Sequence, residues 1–282
     1  MMFSRNSNSV FYSIILVTIM SCGNNKKSHF QLPSLFSDGM VLQRDTLVTI
    51  VGKYIPNQKI DISCSWGFDT TTFSDTNGNW RIHLKTNSAI KAQTIILSTD
   101  KDIYKINNIL LGEVWVAAGQ SNMEMTFDYC CNSTDSSDNE VKSAIYPKIR
   151  MYNVNKTLSV KPLESTEGEW VSALGNNISN FSAVGYFFAK KLHKDLDIPI
   201  GIIHASWGGS GLQSWTNKNV LKNFDGYTQK LKNIEQDSLK YKKTEQWYGG
   251  FENIQSGSGA WDLYLASDIL PDTIEYFNFV GP

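Results

Sequence analysis

The run Ile109-Leu110-Leu111-Gly112-Glu113-Val114-Trp115-Val116-Ala117-Ala118 is nearly continuous in apolar residues. A strand with one face in water alternates, so this run suits a strand buried on both faces, as in parallel sheets covered by helices. Downstream, Val184, Phe187, Phe188, Leu192 and Leu196 recur near helical spacing, and Pro199 precedes a second apolar strand, Ile200-Gly201-Ile202-Ile203-His204-Ala205. The order predicts a parallel α/β sheet with helices on its faces. Ligands of such sheets lie beyond the carboxyl ends of the strands. Two loops occupy those ends: Gly119-Gln120-Ser121-Asn122-Met123 and Trp207-Gly208-Gly209-Ser210.

A different pattern precedes that run. Leu47-Val48-Thr49-Ile50-Val51 is β-branched, Ile60-Asp61-Ile62-Ser63-Cys64-Ser65-Trp66 alternates, and Asn77-Gly78-Asn79 is a turn into Trp80-Arg81-Ile82-His83-Leu84. With Thr94-Ile95-Ile96-Leu97-Ser98 these predict an all-β sandwich over 30–108. The expected organisation is therefore multidomain: a β-sandwich, an incomplete α/β/α domain over 109–222, and the start of an inserted β-rich module over 223–282. In that last segment Leu270-Pro271 and Tyr276-Phe277-Asn278-Phe279-Val280-Gly281 read as opening strands. The polar stretch between Asp128 and Glu140, with Cys130 and Cys131, reads as a surface loop.

The amino terminus predicts export. Arg5 lies in a short polar lead before a mostly apolar run from Val10 to Met20, too short to span a bilayer comfortably. Residues 1–22 read as a signal peptide whose Ile19-Met20-Ser21-Cys22 resembles the lipobox of bacterial lipoproteins, with Cys22 lipidated and 23–29 a tether; an ordinary cleaved signal is the alternative. The lipoprotein reading places the protein in the periplasm or outer membrane of a bacterium, held to a membrane only through its lipid. With 26 basic and 27 acidic residues and no run of five like charges, no nucleic-acid partner is expected. Neither the odd number of cysteines left after Cys22 nor their spacing suggests a disulfide framework or a zinc site. The 8 Trp suit either core filling or stacking on sugars.

Ser121 stands where a serine directly after a buried strand can expose its hydroxyl and aim its own backbone N–H at the same spot. Alone, the motif reads equally as a helix cap. It recurs, however, in an ordered set: Leu35-Phe36-Ser37-Asp38-Gly39-Met40-Val41-Leu42-Gln43-Arg44, then Gly112-Glu113-Val114-Trp115 running into Gly119-Gln120-Ser121-Asn122-Met123-Glu124. Phe181-Ser182-Ala183-Val184-Gly185-Tyr186-Phe187-Phe188 follows, then Ile200-Gly201-Ile202-Ile203 through Ser206-Trp207-Gly208-Gly209. Over roughly Leu32 to Trp215 this resembles the sialate O-acetylesterase family of SGNH hydrolases. The resemblance implies an SGNH (flavodoxin-like) hydrolase domain and removal of O-acetyl groups from sialic acids or related glycans through an acyl-enzyme on Ser121. It implies no cofactor, and an oxyanion hole formed by the N–H groups of Ser121 and Gly209. Gln120, Asn122, Trp207 and Gly208 are candidates for support or substrate contact.

Departures from the family pattern matter as much. Ser210-Gly211-Leu212-Gln213-Ser214-Trp215 replaces the usual Thr and Glu-Ala-Trp ending, and no Gln-Gly-Glu block follows. No Asp stands three residues before a His; that offset from His29, His83, His193 and His204 finds Lys26, Trp80, Lys190 and Gly201. His204 lies inside an apolar strand and reads as structural. The triad's acid and base are thus expected elsewhere, a separately encoded C-terminal half being one source, and this chain alone should hydrolyse esters poorly. Rival readings are an acetyl-xylan or other plant-polysaccharide esterase, and a non-catalytic glycan-binding lipoprotein using Trp66, Trp207 and Trp215.

Overall fold

The computed structural model describes residues 28–128, 137–157 and 163–236. Strand β1 (Val41–Gln43) is followed by β2 (Leu47–Lys53), β3 (Lys59–Cys64), β4 (Phe68–Phe73), β5 (Asn79–Lys85) and β6 (Gln93–Ser98). Alternation does the work that the sequence predicted for it. Trp80, Ile82 and Leu84 of β5 point inward while Asn79, Arg81, His83 and Lys85 face water, and Ile60, Ile62 and Cys64 of β3 do the same. The antiparallel pair β2–β5 and strands β3 and β6 face one core that also holds Ile106, Ile109 and Leu111.

Strand β7 (Ile103–Gly119) joins this region to the rest. Its first half pairs antiparallel with β6, Leu110–Gly112 pair in parallel with β1, and Glu113–Gly119 pair in parallel with β10 (Ile200–Ser206). The domain boundary read at 108/109 therefore falls inside one continuous strand. What changes there is local: Asn108 adopts φ 56, and the β6 register shifts between Gln93 and Ile95. That is a bulge, and it bends the strand from one pairing regime to the other.

A short helix α1 (Ser121–Glu124) follows β7, then α2 (Ser137–Ser143), β8 (Ile145–Val154), β9 (Gly168–Leu174) and α3 (Ala183–Leu196). The long sheet runs β4-β3-β6-β7-β10-β8-β9, with β10 parallel to both β7 and β8. Helix α3 starts at Ser182, whose hydroxyl accepts the Gly185 N–H at 3.0 Å, and ends at Asp197 in the left-handed region. It packs on β8 and β10 around Tyr186, Phe181, Met151 and Ile202. Helices α4 (Lys218–Leu221) and α5 (Tyr227–Gln236) close the described chain, and the opening strands read for the 223–282 module lie outside the described residues. Within the stretch read as a surface loop, Ser137 to Asn139 belong to α2; Cys130 and Cys131, like Cys22 and the strands read after Leu270, lie outside the described residues.

Buried polar groups tie the amino-terminal region to the α/β sheet. Arg150 of β8, 5% exposed, donates from Nη1 to the carbonyls of Gly39 (2.6 Å) and Asn108 and from Nη2 to Asn108 Oδ1 (2.8 Å). Trp170 Nε1 donates to Leu35 O at 2.9 Å, and the Tyr152 hydroxyl lies 2.5 Å from Ser34 Oγ. Gly112 permits a further close approach: a Cβ there would sit 2.1 Å from Pro199 O, so only glycine lets β10 start beside β7.

Candidate active site

Register assembles the site. Because Ser206 pairs with Gly119, the loops that follow β7 and β10 leave the sheet side by side, and the Trp207 N–H donates to Gly119 O at 2.9 Å. Gly119, at φ +146, turns the chain out of the strand. Gln120 then begins helix α1; its carbonyl accepts the N–H groups of Met123 and Glu124 at 2.9 and 3.0 Å. Ser121 heads this turn, exposed, and among the described residues its hydroxyl has no hydrogen-bond partner. Its N–H is one of the donors that a first helical turn leaves unpaired.

Gly208 sits against Ser121. A Cβ built on Gly208 would lie 3.7 Å from Ser121 Cα and Cβ, and 2.7 Å from Glu124 Oε2. The Gly208 N–H is already taken, because it donates to Glu124 Oε2, and Lys156 Nζ pairs with Glu124 Oε1. Glu124 therefore clamps the second loop onto the first, and Gly208 supports the site rather than offering a free donor. The next N–H belongs to Gly209, which is exposed, at φ +77, with nothing within 4 Å of where a Cβ would be. Asn122 is exposed, and Trp207 is half-buried with Lys156 Nζ 5.5 Å from its ring centroid. Ser210, in place of the family's Thr, has its hydroxyl engaged internally: it donates to Trp207 O (2.6 Å) and accepts Trp215 Nε1 (2.9 Å).

His204 does not reach Ser121 by any hydrogen bond among the described residues; it lies beneath the site, 9% exposed. Its register partners are Ala117 and Asn153, and its neighbour two positions on, Ser206, shares its face of the sheet. Asn153 Nδ2 donates to the Asn180 carbonyl at 3.3 Å, which turns Asn153 Oδ1 toward His204 Nδ1, 3.0 Å away. Nδ1 then carries the proton and Nε2 accepts from Ser206 Oγ at 2.5 Å. Burial pushes the His204 pKa below its ordinary value, against smaller opposing effects of the Met123 backbone and Glu124, so the neutral form occupies this network. Among the described residues no group of three or more His, Cys, Asp or Glu side chains could hold a metal ion.

Sequence reasoning placed Ser121, Gly208 and Gly209 in loops that the structure brings together. It assigned no role to Glu124, Lys156, Asn153 or Ser206. Glu124 had a signal, three residues after Ser121 on the same turn, and Ser206 stands two residues from His204 on one strand face; Lys156 and Asn153 depend on partners far away in sequence.

The chain's relatives bear on this arrangement. A family model described as carbohydrate esterase, sialic acid-specific acetylesterase, matches residues 111–262, just over half of the 282 residues. Mouse sialate O-acetylesterase is 27% identical over 231 residues, covering 75% of this chain and 42% of its own length, and the human enzyme is 25% identical over 228 residues, covering 74% and 43%. The crystal structure of XAC1771, a novel carbohydrate acetylesterase from Xanthomonas citri, is similar with a TM-score of 0.64 and 34% identity, over 70% of this chain and 44% of that one. The chain thus spans less than half the length of these relatives. The matched span holds both loops that meet at Ser121, from the apolar strand before it to the glycine pair beyond β10, and it places this chain in the sialic acid-specific acetylesterase family of carbohydrate esterases.

Proposed function

We propose that the chain carries the nucleophile and oxyanion hole of a serine O-acetylesterase acting on acetylated sialic acids or related glycans. In this reading Ser121 Oγ bonds to the acetyl carbonyl carbon and its proton passes to a base. The oxyanion is held by the N–H groups of Ser121 and Gly209. Collapse breaks the bond to the sugar oxygen, which leaves as a protonated hydroxyl, and water then releases acetate from acetyl-Ser121. The observation that carries it is the contact of Gly208 with Ser121, held by Glu124, which sets two unclaimed N–H donors, those of Ser121 and Gly209, on adjoining loops.

The base is assigned to residues beyond those described, and an open sheet edge supports this. Leu110 N–H bonds toward Met40 and Glu113 N–H toward Pro199, so β1 and β10 occupy opposite edges of β7. On the β1 side Gln43 Oε1 accepts the Val114 N–H at 2.9 Å; Val116 and Ala118 pair with β10, but on this edge of β7 no described strand pairs beyond Gly112. Val116 is 57% exposed, unusual in the strand carrying a nucleophile, and a following strand of the same domain or of a separate polypeptide would cover it. The sugar is less narrowly set: XAC1771, 34% identical, is described as a carbohydrate acetylesterase without a named sugar, and a plant-polysaccharide acetyl ester is the second reading. In the same proposal the chain is exported and anchored through Cys22.

The test is acetate release from an aryl acetate, acetylated sialic acid and acetylated xylan by the chain and its Ser121→Ala variant, each with and without the complementary C-terminal segment of a family member. Turnover that needs both Ser121 and the added segment is expected. Turnover that survives Ser121→Ala would overturn the proposal.

A further inference from the structure

A groove of about 900 Å3 lies in the amino-terminal β-region, on different elements from those that carry Ser121. Its walls come from the outward faces of β2 and β5, the end of β4, the Gln31–Pro33 segment, and Glu164 and Ser165 of the β8–β9 connection. Register explains the lining. Val51 pairs with Arg81 and Lys53 with Asn79, so these side chains stand in two adjacent rows on the face turned away from the core. Thr72 Oγ1 donates to Arg81 O at 2.9 Å, which fixes the end of β4 beside β5 and sets Phe73, 65% exposed, at the groove's rim.

Its charges are not equivalent. Asp75 spends its carboxylate on its own turn, accepting Asn77 N–H and Asn79 N–H at 2.8 Å each, and these bonds hold its pKa below the usual range. Lys53 pairs with Glu164 at 3.5 Å. Arg81 is exposed and has no partner for its guanidinium among the described residues. One forked cation is therefore free beside an exposed aromatic ring and the Asn79 amide, whose Nδ2 donates one hydrogen to Asp75 Oδ2 at 3.2 Å and keeps a second donor and its oxygen. Trp80, 3% exposed, stands on the core side of β5, behind Arg81, with its indole on Gly52, where a Cβ would meet Cε2 at 2.8 Å; its Nε1–H, buried and without a partner among the described residues, reports on this wall without facing the groove.

We propose that this groove binds a sugar bearing a carboxylate, with Arg81 on the carboxylate, Phe73 against the apolar face of the ring and Asn79 on hydroxyls. A guanidinium fork matches a carboxylate in two parallel bonds, and an aromatic ring supplies contact area at small entropic cost. The volume is in the range of small-ligand sites, with room for more than one sugar unit. Such a site would hold an acidic glycan on the esterase independently of Ser121, so it neither needs the acyl-enzyme reading nor falls with it. Being open to solvent, it should bind weakly, with a Kd of about 1 mM.

The test is an NMR titration of the whole chain with methyl α-N-acetylneuraminide and, separately, with methyl glucuronide, following the Trp80 indole N–H and the Arg81 amide. Neutral xylotriose is the control, and the variants are Arg81→Gln, Phe73→Ala and Ser121→Ala. Arg81 and Phe73 are exposed, so their replacement leaves the core intact. Expected are saturable shifts at β2 and β5 with one or both acidic sugars, about tenfold weaker in Arg81→Gln, weaker in Phe73→Ala and unchanged in Ser121→Ala; the two acidic sugars separate sialic from uronic specificity. Equal binding of xylotriose, shifts confined to the Ser121 loop, affinity unaffected by Arg81→Gln, or no binding of either acidic sugar would each overturn the proposal.

Discussion

Replacing Arg150 by Met tests how the two regions are joined. Among the described residues the side chain has no carboxylate partner: its three hydrogen bonds go to two backbone carbonyls and one amide oxygen. Burial pushes its pKa down to about 10, a bias of about 3 kcal/mol against the charged form, though it stays protonated at neutral pH. Hydrogen bonds from a charged donor contribute about 1.5 to 3 kcal/mol each, so three of them outweigh that burial cost. Asn108 is exposed and Gly39 half-buried, so water recovers part of what their acceptors lose, which sets the net loss in Arg150→Met near the lower end, about 2 kcal/mol. With a denaturant dependence of about 2 kcal/mol per molar urea, the unfolding midpoint should fall by about 1 M. Arg150→Lys, which keeps the charge but not the fork, should fall between the two. A Met variant unfolding at or above the wild-type midpoint would refute the reasoning, because it would mean that desolving the guanidinium costs more than its bonds return.

Two further outcomes follow from buried groups. Because burial lowers the His204 pKa, the unfolded chain takes up that proton more readily than the folded one; the stability from neutral His204 is complete above pH about 6.5 and declines as pH falls toward the folded-state value. The stability difference between wild type and His204→Gln, measured by urea unfolding, should therefore shrink from pH 7 to pH 5, and a constant difference would show that His204 does not titrate between the two states. Cys64 is 3% exposed, and burial, aided by the charge of Asp69, pushes its thiol up to about 12. It should resist iodoacetamide near pH 8 in the folded protein and react once denaturant is added, as read by peptide mass spectrometry; fast labelling of the native chain would contradict that burial.

Most strands were legible because period-two alternation in β3 and β5, and its absence in the second half of β7, are written in the local sequence. Helix α3 was legible from the helical spacing of Val184, Phe187, Phe188, Leu192 and Leu196, but most of these are exposed and the face packed on the sheet is Ala183, Gly185, Tyr186 and Ala189; neither that face nor the Ser182 cap was read from the sequence. The continuity of β7 was not legible. The change of pattern at Ile109 read as a domain boundary, yet the bulge at Asn108 lets one strand carry two pairing partners, and Arg150, over 40 residues away, supplies the bonds that hold that bulge. No window of sequence around the boundary contains the residue that secures it.

The same division runs through the site. Ser121 and Gly209 stand out because each needs a local condition, a turn after a buried strand or a positive φ, that short motifs can encode. Trp66 and Trp215 drew attention as sugar-stacking candidates; their indole N–H groups donate to Lys85 O and Ser210 Oγ, and both rings are half-buried. The exposed ring beside a free cation is instead Phe73, unremarked in sequence because a strand-end Phe carries no signal until Arg81 is seen beside it. Likewise Glu124 is an ordinary helical acid until register brings Gly208 to it. Side chains that act through a partner become readable only when the sheet order is known, since here it is register, not motif, that makes the partner a neighbour.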